Sequence, residues 1–414
     1  MNAVSGKSGF GWNVAALVGA MAVLGSAPVR AQISDDVVRI GVMADQSGPY
    51  SSNGGPGSTL AVRMAVEDFG GKVLGKTIEL LVADDQNKPD VGVAIARKWI
   101  ESDKVDAILG GSASSIAFGI QTFMKEQKKP YLLAGTLAAD LTGKACSPMT
   151  IQFITDTYAL ARSGVQALLK QGRKTVYFVT VDYAFGKAMQ DAATGFIEAG
   201  GGKVVGSVKH PLGTTDFSSF LLQAQASGAN AIVFISAGSD LANALKQAAE
   251  YRLAAKGQAL TVFGMTINSV GAMGLDVANG LQLTTPFYWD RDEGSRAFAK
   301  RFMERNAGVI PTFIHAGAYT ATLHYLKAVQ AAGTDGGPAV VAKMKATPVN
   351  DFSVKDARIR EDGQTLRPMY AVQVKSPAES KNKNDLYIVQ AELAPDQVYR
   401  PLNEGGCDFV KASK

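Results

Sequence analysis

Gly70-Gly71-Lys72-Val73-Leu74-Gly75-Lys76-Thr77 fits the phosphate-loop pattern GxxxxGK[ST] letter for letter. Such a loop holds phosphate only where a strand feeds it and a helix follows, because the free amides of that helix face the anion. The surrounding pattern predicts the opposite order. A helix over residues 59–69 runs into Gly70-Gly71, and Lys76-Thr77 opens a strand. Gly70 therefore reads as a helix C-cap, and nucleotide binding is not expected. No GxGxxG follows the first expected strand, and there is no GxSxG elbow. The three histidines, His210, His315 and His324, lack metal-ligand spacing; the last two fall on an expected helix, where a core or surface role is the default. No carboxylates form a recognisable acid/base pair. The residues thus predict no enzyme, no cofactor and no metal.

The richer chemistry lies in Gly111-Ser112-Ala113-Ser114-Ser115, between an expected strand (105–109) and an expected helix (116–127). Free amides at a helix start, joined by serine hydroxyls, make a site for a carboxylate. Simple N-capping by Ser114 or Ser115 is the alternative reading of the same residues. Other turns that follow strands carry small, hydrogen-bonding or aromatic groups. They are residues 45–53 with Gln46 and Tyr50, residues 135–137 with Gly135 and Thr136, and residues 182–185 with Tyr183 and Phe185. Residues 236–240 with Gly238 and residues 264–268 with Met265 and Thr266 complete them. With Ser112, Ala113, Ser114, Ser115 and Tyr158, these form the candidate ligand-binding set. Local packing against a helix start is the other reading of Tyr183 and Phe185.

Elements of alternating type must position these turns. Apolar, β-branched runs at 37–43, 77–83, 105–109 and 131–134 predict strands, with helices over 59–69, 91–100 and 116–127 between them. The alternation restarts with strands at 175–180, 203–208, 231–235 and 260–263 and helices over 186–199, 217–226 and 240–251. Buried parallel strands separated by helices imply a doubly wound sheet, and two runs imply two lobes. Crossovers are expected near 150–155 and 281–286. Two more helices (295–306, 313–331), a turn at Glu361-Asp362-Gly363 and a last strand (385–390) follow. Ligands of such sheets sit at the carboxyl ends of the strands, where these turns lie.

The 414 residues, 46% hydrophobic and 19% charged, suffice for two cores. A net charge of +5, spread along the chain without a basic stripe, argues against nucleic acid. Lys7, the apolar run 14–24 and Val29-Arg30-Ala31 match a signal peptide cleaved near Ala31, leaving Gln32 first. Export to an oxidising compartment favours a Cys146–Cys407 disulfide over two separate thiols.

Several segments together carry a family likeness. They are IGVMADQSGPYSSNG (40–54), ELLVADDQNKPDVGVAIA (79–96), VDAILGGSASS (105–115), LAADLTG (137–143), DYAFGKAMQDA (182–192) and TDFSSFLLQAQASGANAIVF (215–234). In order and spacing the sequence resembles the type I periplasmic binding proteins of the leucine/isoleucine/valine class, from about Val37 to Tyr370. The resemblance implies an α/β fold of two doubly wound, Rossmann-like lobes joined by a multi-strand hinge. The expected division is a signal peptide (1–31), lobe I (32–150 plus 285–345), lobe II (151–284 plus 346–390) and a C-terminal tail (391–414) that the Cys146–Cys407 disulfide would tie to lobe I. The resemblance further implies hinge closure on a small solute. The serine turn and Gly135-Thr136-Leu137 would hold its carboxylate, and Tyr183, Phe185 and Ala237-Gly238 would close over it. The implied partner is an ABC permease in the membrane, with a monomer as the default state.

One departure bears on the solute. Amino-acid binders of this class place a carboxylate after a late lobe II strand to pair the ligand ammonium, where this sequence has Met265-Thr266 and nearby Asn268. A buried ammonium left unpaired is costly. An aromatic or 2-oxo acid is therefore the expected ligand, although Asp182 or Asp240 in the missing role would restore an amino acid. The alternatives are a branched-chain amino-acid or amide binder, a ligand-sensing domain of a signalling partner, or an exported enzyme.

Overall fold

The computed structural model describes residues 1–9, 33–254 and 257–410. The chain divides into Met1–Arg30 and Ala31–Lys414. Residues 1–9 of the first unit are exposed coil. The expected apolar run 14–24 and the cleavage point at Ala31 lie outside the described residues. The second unit holds both lobes.

The first lobe begins with β1 (Val37–Ala44), α1 (Gly55–Phe69), β2 (Lys72–Val73), β3 (Lys76–Asp84) and α2 (Pro89–Glu101). It continues through β4 (Ala107–Gly110), α3 (Ser114–Glu126), β5 (Tyr131–Leu133) and β6 (Thr150–Gln152). Its sheet has the order β2-β3-β1-β4-β5-β6, parallel except for the β2–β3 hairpin. That hairpin is where the GxxxxGK[ST] string lies. Gly70 caps α1 in the left-handed region (φ 103°), Gly71 and Gly75 also have positive φ, and Lys76 starts a strand. No helix amides stand over the string.

The second lobe opens with α4 (Thr157–Lys170), β7 (Thr175–Val181), α5 (Ala184–Ala199), β8 (Lys203–His210) and α6 (Ser218–Ala226). Then come β9 (Ala231–Ile235), α7 (Gly238–Glu250), β10 (Ala259–Val262), α8 (Ile267–Met273), α9 (Leu275–Ala278) and β11 (Gln282–Thr285). The order β10-β9-β7-β8 is parallel throughout. Strand β8 lies at the edge, and its residues alternate between outward and inward positions.

The chain then returns to the first lobe for α10 (Glu293–Arg305), α11 (Phe313–Ala332), α12 (Gly337–Ala346) and the small hairpin β12 (Arg358–Ile359) and β13 (Thr365–Leu366). It crosses back to the second lobe for β14 (Met369–Val374), β15 (Tyr387–Leu393) and α13 (Pro395–Val398). Strands β11, β14 and β15 form an antiparallel sheet. The backbone thus crosses between lobes at residues 153–156, 286–292 and 367–368. Each lobe is a helix–sheet–helix sandwich with apolar cores on both sheet faces.

Two details differ from the sequence expectation. Val349, Val354, Ala357 and Ile359 join the first-lobe core beside Tyr325 and Met344, so the segment after α12 packs in lobe I rather than starting lobe II at 346. Strand β15 runs to Leu393, so the tail starts later than 391. Helix α4 and strand β14 were not foreseen.

The 20-residue helix α11 is buried along most of its length, and its start is a capping box. Thr312 Oγ1 accepts the His315 N–H (3.4 Å), and His315 Nδ1 accepts the Thr312 N–H (3.1 Å). The Nε2–H of the same ring then donates to Gly54 O (3.0 Å), and Thr312 Oγ1–H donates to Asn53 O (2.7 Å). Burial holds His315 neutral, with its pKa lowered from 6.5 to about 4. The unfolded chain takes up a proton below pH 6.5 and the folded chain does not. The contribution is therefore complete above pH 6.5 and is lost as pH falls toward 4. His315→Gln keeps an acceptor for the Thr312 N–H but cannot titrate. Between pH 7 and 4.5, urea unfolding should show the parent losing about 2–3 kcal/mol more than this variant.

Candidate ligand-binding site

Turns after β1, β4, β5, β7, β9 and β10 converge on one cavity between the lobes. The cavity measures about 60 Å³, room for several waters. Its first-lobe wall depends on two buried carboxylates. Asp45 accepts the Gly48 N–H (2.6 Å), the Tyr50 N–H (2.8 Å) and the Asn87 side-chain amide (2.5 Å), folding the turn back onto the end of β1. Asp85 accepts both the N–H (2.8 Å) and the hydroxyl of Ser112. Burial raises the Asp85 carboxyl above the usual range, and the Ser112 bonds pull against that rise. Ser112 therefore reaches the cavity wall with its hydroxyl already used.

Ser114 and Thr136 differ. Both line the cavity, both are almost fully buried, and neither hydroxyl has a partner within the protein. Ser114 is the first residue of α3, whose N-cap is Ala113 with no side-chain capping bond. The capping reading of the serine turn is thus not what this helix start displays. Amides of an uncapped helix start and two free hydroxyls present donors to an anion. Apolar and aromatic side chains line much of the rest: Leu137, Phe313 and Ile314 from the first lobe, and Tyr183 and Phe185 from the second. Among the described residues, no lysine, arginine or histidine lines the cavity.

The lobes touch across the cleft through the segment after β1. Tyr50 Oη donates to Tyr183 Oη (2.9 Å), and Thr266 Oγ1 donates to Asn53 Oδ1 (2.8 Å). The Asn268 side-chain amide donates to Ser52 O (2.9 Å), and the Ser239 N–H to Pro49 O (3.3 Å). Burial, and then the neighbouring Tyr183, hold the Tyr50 phenol protonated far above its ordinary range. Burial does the same for Tyr183.

Of the sequence candidates, Tyr50, Ser112, Ser114, Gly135, Thr136, Tyr183, Phe185 and Thr266 line the cavity, and Gln46, Ala113, Ser115, Tyr158, Gly238 and Met265 do not. Met265 packs in the second-lobe core. Tyr158 meets Phe196 edge-on (5.0 Å), and the Arg400 guanidinium lies over the Tyr158 ring (5.9 Å). Ala113 packs in the first-lobe core, and Ser115 is the second residue of α3, off the wall. Gln46 is half-buried beside the turn with an unpartnered side-chain nitrogen. Gly238 lies against Pro49, one residue beyond the lining Ala237. Asp240 is buried but accepts the Gly213 N–H (2.8 Å) and does not reach the wall; Asp182 pairs with Lys209 on the surface. Asp45 and Asn53 bound the expected turn 45–53 without being singled out in it, and Phe313 and Ile314 were missed. For Asp45 alone a local signal existed: an aspartate three residues before a glycine in an expected turn.

The cysteines are bridged: Cys146 and Cys407 form a disulfide with Cα atoms 5.6 Å apart. No group of metal-ligating side chains occurs among the described residues. No described helix is long and apolar enough to cross a membrane.

Two parallel-sheet lobes, three crossovers and a cleft at the strand ends define a class of protein, and the comparisons agree. The chain belongs to the periplasmic binding protein family, whose profile matches residues 37–383. A crystal structure of a periplasmic binding protein from Burkholderia mallei is 42% identical with a TM-score of 0.89, covering 91% of this chain and 100% of that one. A branched chain amino acid ABC transporter periplasmic ligand-binding protein from Burkholderia xenovorans is 40% identical with a TM-score of 0.80, covering 90% and 99%. A solute binding protein from Rhodopseudomonas palustris in complex with 3,4-dihydroxybenzoic acid shares the fold, with a TM-score of 0.79, 23% identity and coverage of 87% and 98%. The chain spans about half the length of the first curated relatives it matches, such as the Leu/Ile/Val-binding protein homolog 6 of Brucella abortus (25% identical; 48% of this chain, 50% of that protein).

A side chain at Gly238 is incompatible with the closed cleft. A Cβ there would stand 2.1 Å from Pro49 O, on a backbone with φ of 57°. In a Gly238→Ala variant, left-handed strain costs about 1–2 kcal/mol in any lobe arrangement, whereas the clash exists only on closure. Calorimetry should therefore show ligand-free melting lowered by a few degrees and solute affinity reduced at least tenfold.

Proposed function

We propose that this protein is the solute-binding component of an ABC importer, exported to the periplasm, which closes on a small organic carboxylate and passes it unchanged to a membrane permease. The preferred solute is an aromatic or 2-oxo acid. The observation that carries this reading is the pair of buried, unpartnered hydroxyls in one cavity, Ser114 at the uncapped start of α3 and Thr136 in the turn after β5, among aromatic and apolar lining residues. A carboxylate fits those donors and a flat or branched body fits that lining. Thr266 gives its hydroxyl to Asn53, and Met265 is in the core. Neither would pair an α-ammonium. The complex of the Rhodopseudomonas palustris neighbour with a dihydroxybenzoic acid supports the same choice.

A branched-chain amino acid is the second reading. The Asp45 carboxylate lines the cavity, and the 40% identical Burkholderia xenovorans protein is described as a branched-chain amino-acid binder. Against it, Asp45 already accepts three hydrogen bonds.

Thermal-shift measurements on residues 32–414 with benzoate, 4-hydroxybenzoate, 4-methyl-2-oxovalerate, leucine and valine separate the two, since a ligand of the folded state raises the midpoint. Shifts with the acids and none with the amino acids are expected. A shift with leucine or valine alone would overturn the solute assignment. For an acid that binds, Ser114→Ala with Thr136→Val should raise Kd by at least tenfold, because each hydrogen bond to a charged group contributes about 1.5–3 kcal/mol.

A further inference from the structure

The chain does not end where its second lobe ends. After β15, α13 packs against α4, and Val398 and Tyr399 enter the second-lobe core. Arg162 of α4 donates to Tyr399 O (3.4 Å). From the next residue onward the hydrogen-bond partners belong to the first lobe, while the Arg400 guanidinium also lies over the Tyr158 ring of α4. Arg360, at the end of β12, donates to Arg400 O. Arg400 Nη2 donates to Ala139 O (3.1 Å), and the Cys146–Cys407 disulfide fixes the segment to the same lobe. The approach is close: a Cβ on Gly143 would fall 2.6 Å from Arg400 Nη2 and 3.0 Å from Gly405 O. The tail therefore passes from one lobe to the other between Tyr399 and Arg400, with no slack between its two anchorages.

Its crossing point is beside the hinge. Arg367, fully buried on the third crossover, donates to Phe153 O (3.1 Å) on the first crossover and to Ser353 O (3.3 Å). Gln364 donates to Ile154 O (3.0 Å). The tail also reaches the cleft wall. Ala139, which Arg400 holds by its carbonyl, gives its N–H to Thr157 Oγ1 (3.1 Å), and the Thr157 N–H goes to Leu137 O (2.7 Å). Leu137 and Thr136 line the cavity.

We propose that residues 399–407 act as a fourth connection between the lobes, closed covalently by the Cys146–Cys407 disulfide, which limits how far the cleft opens and holds the Thr136–Leu137 turn in place. Arg400 is its positioning residue. The three backbone crossovers let the lobes rotate about the hinge. A fourth attachment restricts the rotation to what the segment between Tyr399 and Cys407 accommodates. Cutting it lets the ligand-free protein visit wider states. The inference rests on reading the cleft as the site that opens and closes, but its test needs no solute and is independent of which acid binds.

Nitroxide pairs placed at Lys72→Cys on the first lobe and Gln223→Cys on the second, both exposed, report the distance between lobes by pulsed dipolar spectroscopy. In ligand-free protein, Cys146→Ser with Cys407→Ser should broaden and lengthen the distribution, with the population beyond the parent's longest distances rising at least threefold. Arg400→Ala with the disulfide intact should give a smaller change in the same direction. An unchanged distribution with a lowered melting temperature would overturn the proposal and leave the disulfide a staple of the tail alone. Should the double serine variant fail to fold, Arg400→Ala decides by itself, an unchanged distribution again overturning the proposal. A distance change without any panel acid binding would leave the hinge inference standing and count only against the solute assignment.

Discussion

Asp45 receives three hydrogen bonds at the end of β1, two from the backbone that follows it and one from Asn87. A buried carboxylate is stable only when donors replace the water it has lost, and here the turn itself supplies them. The turn thereby gains a fixed shape, and that shape presents Pro49, Tyr50, Ser52 and Asn53 to the other lobe. Four hydrogen bonds across the cleft start from these residues. The capping box of α11 holds the far end of the segment by the carbonyls of Asn53 and Gly54. Closure of the two lobes thus depends on one carboxylate and one neutral imidazole, neither of which bonds to the facing lobe.

The fold was largely legible because parallel strands buried on both faces are nearly continuous apolar runs. β1, β7 and β9 stand out in the sequence as VVRIGVMA, TVYFVTV and AIVFI. The context test also separated the GxxxxGK[ST] string from a true phosphate loop, since a hairpin has no helix start to offer. Helix α4 and strand β14 escaped for different reasons. The α4 start is marked only by Asp156, whose side chain accepts the Ala159 N–H. Strand β14 takes its place from two antiparallel partners far apart in sequence.

The site was legible at the level of turns and not of side chains. A turn after a strand announces that its residues lie near the cleft. Which of them face it depends on where the strand ends, and a shift of one residue exchanges wall for core. Met265 and Thr266 illustrate this: adjacent in sequence, one packs in the second-lobe core and the other lines the cavity. Phe313 and Ile314 could not be found from the turns at all, because they arrive on a helix from a distant part of the chain.

The concentration of cleft-spanning bonds on one short turn has a kinetic side. Each bond alone is weak, about 0.5–1.5 kcal/mol net, but the four share a rigid support and must separate together. A molecule held behind them leaves only after the lobes part, so its residence time has a floor set by the opening rate whatever its own contacts are. Solutes of different affinity would then share a similar slowest step.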